Sequence, residues 1–166
     1  MKIHRLEREQ RLEHPLDEVF GFFAAARNLE RLTPPWLRFE VLTPEPIEMR
    51  AGTLIDYRLR VHGIPLRWTS RIEEWEPGRG FIDRQLRGPY GLWYHRHSFA
   101  ADGVTTVVRD AVDYGLALGP LGELAHQALV RRDLERIFDY RRQAVLDALG
   151  TGPAEEGIAG PRRGAL

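Results

Sequence analysis

From Trp36 to Tyr114 apolar and polar residues alternate with a period of two, and on both sides of that stretch the period is helical. Leu37, Phe39 and Val41 alternate with Arg38 and Glu40; Ile55, Tyr57, Leu59 and Val61 with Asp56, Arg58, Arg60 and His62; Leu66, Trp68, Ser70 and Ile72 with Arg67, Thr69, Arg71 and Glu73. Successive side chains of a strand point to opposite faces, so each run makes a strand with one apolar and one wet side. Turn signals separate the runs at Ala51-Gly52, His62-Gly63-Ile64-Pro65, Pro77-Gly78-Arg79-Gly80, Gly88-Pro89 and Asp102-Gly103. The pattern predicts an antiparallel meander whose outer face is arginine-rich.

Residues 3 to 12 read as a strand, and His14-Pro15 then starts a helix with proline at its first position. Leu16, Val19, Phe20, Phe22, Phe23, Ala26 and Arg27 lie on one helical face, and Asn28 to Leu32 add a turn before Thr33-Pro34-Pro35 stops it. Gly119-Pro120 opens the longest periodic segment, which Gly150 ends. Its stripe of Leu121, Leu124, Ala128, Val130, Leu134, Ile137, Phe138, Arg141, Val145 and Ala148 drifts around the axis. A one-faced sheet needs a cover, and this helix is the element long enough to supply it. The class is α+β: about seven antiparallel strands, two short helices after the first strand, and a long C-terminal helix. We read residues 1–150 as one domain and the Gly-, Pro- and Ala-rich residues 151–166 as a flexible tail.

Composition bears mainly on chemistry. The 166 residues include 24 Lys+Arg, 24 Asp+Glu, six His and no Cys, and Lys2 is the only lysine. Schiff-base and phosphate-loop lysines, cysteine nucleophiles, thiolate metal sites and disulfides are therefore excluded from the main candidate chemistry. A formal charge of zero argues against a nucleic-acid partner, which needs a clustered basic face. The N-terminus shows no apolar signal segment, and Val19 to Ala26 is too short to span a bilayer. These features predict a cytoplasmic protein without stable membrane insertion.

The informative polar residues lie on predicted inner faces. If Asp102-Gly103 is a two-residue hairpin loop, Ala101 pairs with Val104, His97 with Val108, His95 with Asp110 and Trp93 with Val112. One face then carries Trp93, His95, His97, Phe99, Val108, Asp110, Val112 and Tyr114. A four-residue loop over Glu76 to Arg79 sets Ile72 opposite Asp83 and Ser70 opposite Gln85, turning Phe81, Asp83 and Gln85 inward; a five-residue loop would turn Ile82, Arg84 and Leu86 inward instead. Asp83, Gln85, His95, His97 and Asp110 thus form a candidate polar floor beneath an apolar space walled by Tyr57, Trp68, Phe81, Trp93, Phe99 and Val112. Trp36, after Pro34-Pro35, is a candidate gate at its mouth, or a packing residue. Three readings of the floor compete: a self-satisfied hydrogen-bond network, a reader of a ligand's polar end, or a metal site in which Asp110 completes a set with two histidines. His4, His14, His62 and His126 are isolated and read as solvent-facing or capping residues.

Several of these segments resemble one family. Pro15-x-Asp17-Glu18-Val19-Phe20-x-Phe22-Phe23, Asn28-Leu29, Leu32-Thr33-Pro34-Pro35, Trp75-x-Pro77, Phe81-x-Asp83-x-Gln85, Gly88-Pro89-Tyr90, Trp93-x-His95-x-His97-x-Phe99 and Asp110-x-Val112-x-Tyr114 together resemble the SRPBCC group. That group includes START lipid-transfer domains, polyketide cyclases and the birch pollen allergen fold. The resemblance covers roughly residues 3 to 148 and implies a helix-grip fold, a curved sheet wrapped around the C-terminal helix with a hydrophobic tunnel between them. It implies binding or carriage of a lipid-like, polyketide or aromatic molecule, without a cofactor, by a monomer or homodimer. The alternatives are a cofactor-free cyclase, dehydratase or isomerase in which His95 and Asp110 move protons, and a metal-dependent enzyme.

Overall fold

The computed structural model describes residues 1–117 and 119–150; the expected tail, 151–166, lies outside the described residues. The chain begins with β1 (His4–Leu12), α1 (Leu16–Ala24) and α2 (Asn28–Leu32). A 3-10 turn (Pro35–Leu37) leads into β2 (Glu40–Val41), β3 (Leu54–Val61), β4 (Ile64–Glu76), β5 (Gly80–Arg87), β6 (Leu92–Asp102) and β7 (Thr105–Gly115). The C-terminal helix runs as α3 (Gly119–Ala125), a π-helical segment (His126–Val130) and α4 (Arg131–Leu149). The seven strands form one antiparallel sheet in the order β1-β7-β6-β5-β4-β3-β2. This is the helix-grip arrangement, with the two short helices after the first strand.

Local chemistry explains most of the boundaries. Pro15 sits extended just outside α1, one residue earlier than its expected place inside the helix, and its carbonyl accepts from Val19 N–H at 3.1 Å. Asp17 and Glu18 occupy the first turn, where the helix dipole favours negative charge. Thr33, before Pro34, is forced to extended backbone and ends α2. The strand expected from Leu37 to Val41 shrinks to two residues, because Pro35 to Leu37 close a 3-10 turn first.

Two strand registers decide what reaches the interior. At the β6–β7 hairpin Asp102 pairs with Thr105, so the loop residues are Gly103 and Val104. His97 therefore faces Asp110, His95 faces Val112 and Trp93 faces Tyr114, which corrects the expected pairing of His95 with Asp110. The turn forms one residue later than expected, with Gly103 at φ +64°, in the left-handed region that glycine adopts without strain. Moving the turn by one residue displaces each partner by two, so every side chain keeps its face. Between β4 and β5, Ile72 does oppose Asp83 and Ser70 does oppose Gln85. The loop is one residue shorter than expected, since Glu76 pairs with Gly80, and a bulge between Ile72 and Glu74 restores the count.

The π-helical segment accounts for the drifting stripe of the C-terminal helix. Its wider turn resets the phase, so Leu134, Phe138 and Val145 are buried while Leu121 and Leu124 project outward, 71% and 65% exposed. Two apolar clusters fill the space between helices and sheet. One holds Phe20, Phe23, Phe81, Phe99 and Val145; the other holds Trp93, Val112, Tyr114, Leu134 and Phe138. Two of the isolated histidines are buried rather than solvent-facing: His14 lies 3.1 Å from the Gly150 carbonyl and His126 lies 3.0 Å from the Tyr114 hydroxyl.

Candidate functional site

A cavity of about 270 Å³ lies between the sheet and α4, reaching from α1 and α2 to the Pro89-Tyr90 loop. Its walls are largely apolar, with Tyr57, Trp68, Phe81 and Trp93 among them. Asp83, His95 and His97 reach it from β5 and β6, and Arg141 reaches it from α4. Trp68 satisfies its indole N–H within the cavity lining by donating to Ser70 Oγ at 3.0 Å.

The two histidines and two aspartates form a closed ring of contacts. His95 Nε2 donates to Asp110 Oδ1 at 2.9 Å, and His97 Nε2 donates to Asp83 Oδ2 at 3.0 Å. The cross pairs also lie within ion-pair range: His97 Nδ1 is 2.8 Å from Asp110 Oδ1, off the line a hydrogen bond needs, and His95 Nδ1 is 3.5 Å from Asp83 Oδ2. The imidazole centroids lie 3.8 Å apart with the rings tilted by 39°, and Phe81 stacks on His97 at 4.2 Å.

Charge is divided unequally across this ring. Burial opposes charge on His97, but the close Asp110 carboxylate and the hydrogen bond to and attraction of Asp83 outweigh it and raise its pKa above the ordinary 6.5. Burial and the neighbouring His97 charge lower the pKa of His95. Burial alone would raise Asp110, yet Arg141 and the two histidines hold it well below the usual carboxylate range, and His97, His95 and Arg141 likewise overcome burial at Asp83. The carboxylates thus favour the charged form of His97, which lies between them, while burial and that neighbour favour the neutral form of His95.

The expected site residues are thus distributed over several places. Asp83, His95, His97, Tyr57, Trp68, Phe81 and Trp93 line the cavity. Asp110 stands behind the histidines and faces a second, water-sized void of about 20 Å³ shared with Arg141. Gln85 does not line the cavity: its side-chain amide donates to the Tyr90 carbonyl at 2.7 Å and its Oε1 accepts from Tyr90 N–H at 3.3 Å, fastening the 88–91 loop. Phe99 packs with Phe20, Phe23 and Phe81, and Val112 is wholly buried beside Trp93 and Tyr114. Trp36 is 51% exposed and packs edge-on against Tyr140 with Arg136 over its ring, outside the cavity lining. Arg141 was not among the expected site residues, although an arginine within an otherwise apolar helical stripe is a signal that could have found it.

A cation could be held by Asp83, His95 and His97, whose ligand atoms lie within 4.8 Å of one another; the carboxylate in that set is Asp83, where the sequence suggested Asp110. The raised pKa of His97 works against this, because a metal-bound imidazole must be unprotonated. Among the described residues, no helix is long and apolar enough to cross a membrane.

Comparison with known proteins follows this geometry. The family described as polyketide cyclase / dehydrase and lipid transport matches residues 12–138. No match is found among curated proteins. Similar solved structures include the Zhui aromatase/cyclase from Streptomyces sp. R1128, with 21% identity, a TM-score of 0.70 and coverage of 89% of this chain and 93% of that one. A START superfamily protein from Mycobacterium smegmatis is 13% identical, with a TM-score of 0.64 and coverage of 89% and 99%. Ara h 8.0201 is 15% identical, with a TM-score of 0.62 and coverage of 88% and 99%. At such identities these structures speak to the fold alone.

Proposed function

The chain belongs to the polyketide cyclase / dehydrase and lipid transport family, and from that premise we propose that it binds or carries a hydrophobic small molecule, lipid-like, polyketide or aromatic, in the cavity between sheet and C-terminal helix. One observation carries this reading: a cavity of about 270 Å³ with apolar walls onto which a few polar groups converge, the usual make-up of a small-molecule site. Burial in the walls would supply affinity, and the polar floor orientation. Native mass spectrometry of protein purified from its own host tests the reading. A retained adduct of a few hundred daltons is expected; a protein that is repeatedly empty and admits no apolar probe overturns it.

A second reading has its own support in the unequal titration of the two histidines. Burial and His97 favour the neutral form of His95 beside the cavity, and a neutral ring donating from Nε2 to Asp110 would leave a lone pair on Nδ1. A positioned imidazole of this kind can act as general base in a cofactor-free cyclase or dehydratase, typically worth about 10²–10⁴ in rate. His95→Gln should lower turnover by that factor while binding persists, and unchanged turnover removes the proposed base.

A further inference from the structure

We propose that Arg141 is the anchor for an acceptor oxygen on the ligand, so that the molecule taken up is apolar with a carbonyl or carboxylate group at the end facing α4. The proposal rests on the cavity-binding reading and specifies its ligand class.

Arg141 departs from the pattern of the other arginines. Several on the outer face of the sheet meet acidic partners, as Arg5 does with Asp113 and Arg109 with Glu9, both at 2.7 Å, and others there, such as Arg67 and Arg96, can be met by water. Arg141 instead lies between Phe138 and Val145 on the inner stripe of α4 and lines both the main cavity and the small void behind the histidines. Its Nε is buried without a hydrogen-bond partner, and its guanidinium forms no hydrogen bond or ion pair among the described residues. The guanidinium carbon stands 5.4 Å above the Phe23 ring, so one face rests on an aromatic surface.

A guanidinium offers five N–H donors in a rigid plane, and leaving a buried donor unmatched costs stability. The carboxylates of Asp83 and Asp110 feel its charge but stay outside ion-pair distance, each being held by the histidines instead. The guanidinium, with Nε sealed off and its terminal N–H groups left without a partner among the described residues, thus belongs to the lining of a cavity whose other walls are mostly apolar, and an oxygen acceptor on the ligand would satisfy those terminal groups. Tyr57 and Ser70 add hydroxyls from the sheet side of the cavity, and His97, which also reaches it, is already engaged by the Asp83 and Asp110 carboxylates. A ligand that is apolar throughout would leave the guanidinium unmatched and should bind less tightly.

Calorimetric titration with three naphthalenes of nearly equal size tests this: 2-ethylnaphthalene, 2-acetylnaphthalene and naphthalene-2-carboxylate. The ketone and the carboxylate should each bind about tenfold or more tighter than the hydrocarbon, the range expected for a hydrogen bond to a charged donor. Arg141→Met, which keeps the length and apolar packing of the stem, should erase that preference while 2-ethylnaphthalene binds within about twofold of the parent protein. Arg141→Lys keeps the charge without the fork and should weaken the ketone more than the carboxylate; it decides the matter if the methionine variant does not fold. A preference that survives both substitutions, or is absent in the parent protein, overturns the assignment of Arg141 and leaves the cavity reading standing. Failure of all three probes to bind overturns both.

Discussion

His95 and His97 hold their ring centroids 3.8 Å apart, tilted by 39°, yet shift in opposite directions, His97 toward the charged form and His95 toward the neutral one. Two imidazolium rings in contact would repel, and only one can draw fully on the Asp83 and Asp110 carboxylates. Titration followed by NMR should give His97 a midpoint above 6.5 and His95 one below it. The reverse order would mean that the division of charge, and with it the choice of His95 as base, is wrong.

Asp110 links that ring to stability. Its pKa in the folded protein lies well below its ordinary value of 3.8, so its contribution is fully present above about pH 4 and is lost as pH falls through the folded value. The raised His97 acts in the other sense: its contribution is present below about pH 6.5 and is lost as pH rises through its folded pKa. Asp110→Asn should cost about 1–3 kcal/mol at pH 6, because His97 and Arg141 lose one buried carboxylate and keep only Asp83 nearby. It should also flatten the acid limb of the stability curve. Denaturant melts of both proteins from pH 3 to 8 would show parallel curves if the ring carried no such linkage.

Gly80 holds the backbone geometry under the site. A Cβ there would stand 2.3 Å from the His97 carbonyl oxygen, a main-chain atom that no rotamer change can move. Gly80 pairs across to Ser98, and Phe99 N–H donates to the Arg79 carbonyl at 2.8 Å, so relief requires β5 to separate from β6. Gly80→Ala should therefore destabilise the protein and speed amide exchange at His97 and Phe99. Exchange confined to the Pro77–Arg79 loop would show that the strands tolerate the methyl.

Trp36 and Trp93 should separate in a binding assay. Trp93 lines the cavity and packs with Trp68 and Tyr90, while Trp36 sits outside against Tyr140. Trp93→Ala should weaken binding of 2-acetylnaphthalene at least tenfold and lower stability by about 3–5 kcal/mol. Trp36→Ala should leave the affinity within about twofold. Equal losses would place Trp36 on the entry path.

Period-two alternation already determines that His95, His97 and Asp110 share the apolar face, because a strand's side-chain period is two and an error of two residues in pairing changes no face, whereas for Asp83 it leaves two loop lengths open. Helical periodicity likewise accounts for the C-terminal cover, and Arg141 stands in that stripe where it could be read. The tertiary structure decided which of these groups touch. The hairpin closes on Gly103-Val104, which sets Asp110 opposite His97, while the ring nitrogen of His95 still reaches Asp110 diagonally. A bulge in β4 brings Asp83 to its place, Gln85 is drawn off to the Tyr90 loop, and the π-helical segment sets the phase at which Arg141 meets the cavity. Periodicity reports the side of an element; contact depends on loop length, bulges and helix phase, each a balance of local geometry against packing across the whole fold.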